Sequence, residues 1–135
     1  LICEYLDRSQ TRVLALERMM DIEVGKKERT ASPEINPKDF YKDCFGIIRD
    51  DKTPVCVRIK VYDKQVDYVR SLPIHTSQKE IETGEGYAIF EYRLRPSYDF
   101  VQHLLWHKKM EVLTPLSLRE EMKKELEEML GRYNR

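Results

Sequence analysis

The sequence has no long hydrophobic run and no excess of charge of one sign. No stretch approaches the roughly 20 uninterrupted apolar residues of a membrane-spanning helix, and no basic-then-apolar signal segment opens the chain. Lysine plus arginine and aspartate plus glutamate both number 24, so no whole-chain field attracts nucleic acid or a membrane. We therefore expect a soluble protein without a membrane partner, whose basic sites are local.

Cysteine is scarce and irregularly spaced. The three cysteines, Cys3, Cys44 and Cys56, are an odd number and include no CxxC pair. This usage is typical of buried free thiols in a reducing compartment. We expect the protein to be cytoplasmic.

Motifs of common catalytic and metal sites are also missing. The chain contains no GxGxxG, GxxxxGK[ST] or GxSxG sequence, and no nucleophile, base and orienting group form a recognisable set. His103 and His107 have the i,i+4 spacing of a zinc site, but Leu104 stands where HExxH has its glutamate and no third ligand is evident. We expect no enzymatic activity, no cofactor and no metal site.

The composition nevertheless supplies a core. The chain has 135 residues, of which 41% are hydrophobic and 36% charged, so one globular domain or two small pieces with a highly charged surface are expected. It begins with Leu1 inside an apolar run, as though cut from something longer.

The first 52 residues divide into a hairpin and a linker. Apolar-rich runs at 1–5 and 12–19 flank a polar cluster at 7–10 and predict a β-hairpin, although Val13 to Leu16 equally suits a helix. Residues rich in Gly, Pro and charge follow, with a short helical turn at 38–42. We divide the chain into 1–24, 25–52 and 53–135.

The third region has the clearest periodicity. Val55, Val57, Ile59 and Val61 alternate with polar residues, as in a half-buried strand. Asp63 is placed to cap the next helix, and Thr83 to Gly86 suits a hairpin turn. The predicted order is strand, helix, strand, strand, helix, strand and helix, at 55–62, 64–72, 75–82, 87–94, 96–105, 110–114 and 115–130. The first six elements match the split β-α-β of α+β, ferredoxin-like sandwiches.

The last helix carries its own signals. Ser117 and Glu120 have capping-box spacing, and Gly131 suits the position just beyond the helix. An apolar stripe runs along it, formed by Leu118, Met122, Leu126, Met129 and Leu130.

Two groups of residues carry a resemblance to a known family. Leu1-Ile2-Cys3-Glu4-Tyr5 and the segment 12–19 resemble the closing strands of a WYL domain, the regulatory domain of many bacterial transcription factors. The resemblance continues through Asp39-Phe40-Tyr41 and Phe45-Gly46-Ile47 into the C-terminal extension, the WCX domain. Its further marks are Tyr68-Val69-Arg70, Pro73 to Gln78, Trp106, Glu111-Val112-Leu113, Pro115 and Leu118-Arg119.

This resemblance implies a transcriptional regulator with three parts. They are an N-terminal helix-turn-helix, a small Sm-like β-barrel that senses a nucleic-acid or nucleotide-like effector, and a ferredoxin-like extension that takes part in dimerisation. The chain would then hold the end of a truncated barrel and the extension. Duplex DNA binding is expected only through the missing N-terminal domain, and a homodimer is the expected assembly.

Six residues are candidates for the effector site. Arg12 and Arg18 resemble the arginines of the family's last barrel strands, and a guanidinium fork suits a phosphate. The alternative is that both pair with nearby carboxylates on the surface.

The other four candidates lie in the extension. Arg58 lies with Lys60 on the polar face of the first strand of this region, while Arg70, His75 and Gln78 follow it. They can bind a phosphate or a base edge, with a tyrosine available for stacking: Tyr62, Tyr87 or Tyr92. The alternative is that Arg70 and His75 satisfy carboxylates and carbonyls of the fold. At the level of function, the alternative is a purely structural dimerisation module, which uses the sheet face or the helix stripe and has no ligand site.

Overall fold

The fold is mixed α and β. The computed structural model describes residues 1–5, 10–26 and 35–134, and the chain divides into two compact units, Leu1–Phe40 and Tyr41–Arg135. The described residues form two antiparallel sheets and four α-helices. None of these helices is long and apolar enough to cross a membrane.

The N-terminal unit contains a two-stranded antiparallel sheet. Strand β1 (Ile2–Tyr5) pairs with β2 (Gln10–Val13), so the predicted second strand ends earlier than residue 19. After Val13 the chain tightens into a 3-10 turn at Leu16–Arg18, in which the Met19 N–H donates to the Leu16 carbonyl. Of the predicted turn at 7–10, residues 7–9 lie outside the described residues, as do the linker residues 27–34, whereas Gln10 is the first residue of β2.

Helix α1 (Pro37–Tyr41) follows the linker. Asn36 Oδ1 accepts the Lys38 N–H at 3.0 Å, and its carbonyl accepts the Phe40 N–H. The short helical turn expected at 38–42 is therefore present, displaced by one residue.

The C-terminal unit is built on a four-stranded antiparallel sheet. Its strands are β3 (Val55–Tyr62), β4 (Lys79–Gly84), β5 (Tyr87–Leu94) and β6 (Met110–Thr114). Their order across the sheet is β4-β5-β3-β6. Ile59 at the centre of β3 faces Phe90 on one side and Val112 on the other. Strands β5 and β6 have the bounds that their patterns predict.

One face of this sheet holds the core. The alternating residues Val57, Ile59 and Val61 of β3 are fully buried, as are Phe90 and Tyr92 of β5. Helices α2 (Gln65–Ser71) and α3 (Tyr98–Trp106) add Val66, Val69, Phe100, Val101 and Leu104 to the same cluster. Both helices therefore cover one face, and the opposite face, which carries Arg58 and Lys60, is open.

Two predicted boundaries around α2 are wrong. Asp63 does not cap the helix: it adopts a left-handed conformation with φ 55°, and its carboxylate pairs with Lys109 Nζ at 2.7 Å. The strand expected from His75 begins only at Lys79, because the Gln78 N–H donates to the His75 carbonyl in a turn.

Helix α4 (Leu116–Tyr133) differs from its prediction at both ends. No side-chain capping bond forms, because the helix starts directly after Pro115 and Ser117 is already helical. Gly131 lies inside the helix, since the backbone bonds continue to Asn134 N–H. Leu118, near its start, is 1% exposed, and exposure then rises towards the end of the helix.

The cysteines are free thiols of unequal exposure. Cys44 is buried, Cys3 is half-buried and Cys56 is exposed. The expectation that all three are buried is therefore wrong for Cys56, because it occupies the polar register of β3 and lies on the open face.

Candidate effector site

Two tyrosines and a lysine form a cluster on the open face of the sheet. Tyr62 and Tyr87 face each other directly across β3 and β5. Lys60 Nζ lies 3.8 Å from the centroid of the Tyr87 ring and 5.4 Å from that of Tyr62. The first distance is that of a close cation–π contact. We call Lys60, Tyr62 and Tyr87 the tyrosine–lysine cluster.

Carboxylates hold both tyrosine hydroxyls. Tyr62 Oη donates to Glu111 Oε2 at 2.6 Å, and Tyr87 Oη donates to Glu82 Oε1 at 2.7 Å. These hydrogen bonds raise the pKa of each tyrosine and, together with Arg119, lower the pKa of Glu111. Both phenols stay neutral, and their positions are fixed on the sheet.

Arg58 borders this cluster. Its Nε donates to Glu91 Oε2 at 2.9 Å, because the two residues are cross-strand neighbours. The bond lowers the pKa of the Glu91 carboxyl and raises the pKa of Arg58. Both side chains remain partly exposed, so a ligand can reach the guanidinium.

Arg70 is engaged at the border of α2 and β4. Its Nε and Nη2 donate to the two carboxylate oxygens of Glu80 at 2.9 and 2.6 Å, and Nη1 donates to Asp67 at 3.3 Å. The Arg70 hydrogen bonds are the main reason that the pKa of Glu80 falls to about 2. Arg70 therefore ties the helix to the edge strand.

His75 lies in the loop that follows α2. Only 9% of it is exposed, its Nδ1 lies 2.7 Å from Ser77 Oγ, and burial lowers its pKa. Ser77 in turn bonds both the N–H and the carbonyl of Arg93. This contact joins the loop to β5.

Gln78 bridges three parts of the fold. Its Nε2 donates to the Val69 carbonyl at 2.7 Å, while its Oε1 accepts the Ile74 N–H and the Tyr92 hydroxyl, each at 3.0 Å. Tyr92 is fully buried, so it cannot stack on a ligand as the sequence suggested.

Arg12 and Arg18 belong to the N-terminal unit. Arg12 lies on β2 opposite Cys3, and Arg18 ends the 3-10 turn. Both side chains are exposed, but the two arginines do not share a strand. The carboxylate of Asp7, one of the neighbours expected to pair with them, lies outside the described residues.

The structure thus does not bring the predicted residues of the C-terminal unit into one cluster. Arg58 lies on the open face beside Lys60, whereas Arg70, His75 and Gln78 contact the fold itself. The sequence analysis did not identify Glu82 and Glu111, which belong to the site because they bind the tyrosine hydroxyls and orient the rings. Sequence periodicity could place each residue on the polar face, but only strand register shows that the tyrosines meet.

Among the described residues, no third metal ligand accompanies the pair His103 and His107. The rings of His103 and His107 are 4.6 Å apart between centroids. Within the described part of the chain, no three or more His, Cys, Asp or Glu side chains are placed together to hold a metal ion.

Comparison with protein families decides the assignment of the C-terminal unit. Residues 53–130 match the WCX domain model, which covers more than half of the chain and includes the whole four-stranded sheet. The chain belongs to the WCX domain family. The resemblance to the C-terminal extension of WYL-type regulators is confirmed over this range. A search of curated proteins finds no match.

Within the WCX domain, the half-buried tyrosine–lysine cluster and the exposed Arg58 share the open face of the sheet and combine aromatic rings with cations. Aromatic faces can stack with nucleobases, and the cations can contact phosphate oxygens. The open face is therefore the candidate effector site.

Proposed function

We propose that this chain is the effector-sensing and dimerisation region of a bacterial WYL-type transcriptional regulator. The WCX domain binds a nucleic-acid or nucleotide-like effector on the open face of its sheet. Binding controls a DNA-binding helix-turn-helix that lies outside this chain. The role is regulatory, not catalytic, and the cytoplasm is the proposed location because it keeps free thiols reduced.

We also propose that the C-terminal unit has a ferredoxin-like fold. The element order β3-α2-β4-β5-α3-β6, with both helices on one face, is the pattern of a split β-α-β sandwich, and α4 is an addition to it. Such a sheet leaves its second face uncovered. We also propose that β1 and β2 are the last strands of an Sm-like barrel.

The tyrosine–lysine cluster is the observation that carries the proposal. A base stacked on Tyr62 or Tyr87 would gain the energy typical of aromatic stacking, about 1–3 kcal/mol per base. Lys60 and Arg58 lie on the same face of β3 as Tyr62. The phosphate of a nucleotide stacked on a tyrosine can therefore contact one of these two cations.

The charge of the open face limits the size of the ligand. Basic side chains are interspersed with carboxylates on this face, namely Arg58, Lys60, Lys79 and Arg93 with Glu82, Glu91 and Glu111. A long polyanion would meet these carboxylates, whereas a ligand with one or a few phosphates can avoid them. We therefore propose a nucleotide or a short single strand in preference to a duplex.

A regulatory effect requires that the effector binds one arrangement of the regulator more tightly than another. Binding at the open face has this effect if the arrangement that binds the effector more tightly differs from the other in the relative placement of two subunits. The energy of regulation is then the difference between the two affinities.

The test is a titration of the purified chain with a fluorescently labelled short single-stranded oligonucleotide, followed by anisotropy. Tyr87→Leu and Tyr62→Leu should each weaken binding by about tenfold, which corresponds to the loss of one stacking contact. Lys60→Ala should reduce the slope of affinity against salt by about one contact.

Tyr68→Leu is the matched control, because Tyr68 is 68% exposed on α2, away from the open face. Equal affinity for the wild type, Tyr87→Leu and Tyr62→Leu would contradict the proposed site. Arg12→Ala and Arg18→Ala in the same titration test whether the N-terminal hairpin adds to binding.

The second candidate function is dimerisation without an effector. The exposed apolar side chains in the second half of α4, Leu126, Met129 and Leu130, favour it, since such a surface suits a protein partner. A dimer face is largely insensitive to salt, whereas phosphate binding weakens as salt rises.

A further inference from the structure

Lys60 lies over a tyrosine ring of the open face. Its Nζ is 3.8 Å from the centroid of the Tyr87 ring, within the range of a cation–π contact. The two residues come from neighbouring strands, β3 and β5. The ammonium therefore covers one face of a ring on which the proposed function stacks a base.

The fold fixes the Tyr87 ring at two points. Gly84 is its cross-strand partner on β4, and a Cβ added at Gly84 would clash with Cε1 and Cζ of the ring. The ring thus fills space that is open only because residue 84 is glycine. Its hydroxyl donates to Glu82 Oε1 at 2.7 Å, which fixes the far end of the ring. Of the two partners in the cation–π contact, Lys60 is therefore the one that can move aside.

The Lys60 ammonium has no carboxylate partner. Within the described part of the chain, its contacts are with the rings of Tyr87 and Tyr62, and it forms no ion pair. Its cross-strand neighbour on β6 is Glu111, but that carboxylate accepts the Tyr62 hydroxyl at 2.6 Å and Arg119 at 2.9 Å. The three N–H donors of the ammonium are therefore available to a ligand.

We propose that Lys60 makes this site selective for ligands that carry a planar base together with a phosphate. In the free protein Lys60 lies over the Tyr87 ring. In the complex the base takes this face of the ring, and the ammonium moves to the phosphate. This selectivity rests on the proposed function and narrows its ligand class to a nucleotide, as opposed to a nucleoside or a free base. Arg58 is less suited to the phosphate, because its guanidinium already donates to Glu91 at 2.9 Å.

Selectivity arises from the partner that each ligand offers to the displaced lysine. A nucleoside moves the ammonium off the ring and gives it no charged partner, so the lost cation–π contact weakens binding by about two- to fivefold. A nucleotide replaces that contact with a charge-assisted hydrogen bond, which is stronger than a neutral one. Inorganic phosphate reaches the ammonium but gains no stacking energy from the ring.

The first experiment needs no ligand. Protons above the face of an aromatic ring are shifted upfield, so the wild-type chain labelled with carbon-13 lysine should show a shifted Lys60 Cε resonance, which Lys60→Ala assigns by removing it. Tyr87→Leu should abolish most of the shift, and Gly84→Ala should reduce it because the added Cβ displaces the ring. Gly131→Ala is the matched control, since a Cβ there meets nothing within 4 Å, and it should leave the shift unchanged.

The second experiment compares adenosine with adenosine 5′-monophosphate by NMR titration at low salt. The wild type should bind the nucleotide at least about tenfold more tightly than the nucleoside. Lys60→Ala should bind adenosine about two- to fivefold more tightly than the wild type does, because the ring face is free, and should lose the preference for the nucleotide. Lys124→Ala on α4 is the matched control, since its side chain is 77% exposed, and it should keep the wild-type preference.

The outcomes separate failure of this inference from failure of the proposed function. A wild-type spectrum without the shifted lysine resonance would overturn the inference and leave the proposed function intact. The same holds if Lys60→Ala keeps the preference for the nucleotide, or binds adenosine no more tightly than the wild type, while Tyr87→Leu still weakens nucleotide binding. Absence of nucleotide binding, or an affinity that Tyr87→Leu does not change, would contradict the proposed function itself and this inference with it.

Discussion

The His103 side chain on α3 has a buried ring nitrogen. Its Nε2 has no hydrogen-bond partner among the described residues. The ring lies 4.9 Å from that of Phe45 and 4.6 Å from that of His107, centroid to centroid. Burial first, and the neighbouring His107 second, lower the pKa of His103 below its ordinary value of 6.5.

Stability should therefore fall in mild acid. The unfolded chain binds a proton at this position near pH 6.5, whereas the folded chain binds it only at lower pH. The free energy of unfolding is then fully retained above 6.5 and is lost as the pH falls towards the pKa of the folded state. His75 adds to the loss, because burial lowers its pKa as well.

His103→Phe should reduce this acid sensitivity. The phenyl ring keeps the contact with Phe45 and removes the unpaired nitrogen, so we expect a gain of about 1 kcal/mol at neutral pH and a smaller slope below it. Urea unfolding at several pH values between 5 and 8 measures both quantities. A variant with the slope of the wild type would show that His103 does not titrate differently in the two states.

At the residue scale, the sequence predicted the face of the sheet on which a side chain lies better than it predicted the residues that the side chain contacts. Alternation along β3 correctly puts Arg58 and Lys60 on the polar face, because side chains of a strand point alternately to its two faces. It does not reveal Glu91 opposite Arg58, since strand register depends on the whole sheet. For the same reason, the bonds of Gln78 to Val69 and Tyr92 were not visible in the sequence.

Among the elements, α4 shows how burial changes along one helix. Leu118 and Leu130 are both leucines of the predicted stripe, yet the first is 1% exposed and the second 60% exposed. Their contributions to folding of a single chain must differ accordingly, because only Leu118 removes its full apolar surface from water.

Leu118→Ala should lower the free energy of unfolding by about 2–5 kcal/mol, since it leaves a cavity in the core. Leu130→Ala should change it by less than about 0.5 kcal/mol when measured at low protein concentration. Thermal or urea unfolding of the two variants gives the comparison. Equal losses would mean that the end of α4 is covered within one chain.

The bounds of an element were predictable where burial of one face gives its apolar residues a regular spacing. Strands β5 and β6 have the predicted bounds because one face of each meets the core. The predicted capping box at Ser117 is wrong because the helix already starts at Leu116, directly after Pro115. Gly131 does not end the helix, because the helical hydrogen bonds continue past it to the Asn134 N–H. Cap residues express local preferences. Loss of a preferred cap lowers the stability of a helix by only about 1 kcal/mol, so other contacts can override it.

For the whole molecule, the uneven distribution of the core predicts uneven protection. Every side chain of the main hydrophobic cluster comes from the C-terminal unit. None of the described side chains of the N-terminal unit is buried, and a two-stranded hairpin is by itself marginal in water. The two units should therefore differ strongly in local stability.

Hydrogen exchange followed by mass spectrometry tests this difference on the intact chain. Peptides from β3 and β5 should exchange only through opening of the entire C-terminal unit, because both strands are paired on both sides and carry the core. Peptides covering β1 and β2 should exchange at least about a hundredfold faster, which corresponds to a difference of about 2.7 kcal/mol in opening free energy. Comparable protection in both sheets would contradict this and would mean that a surface outside the hairpin covers it.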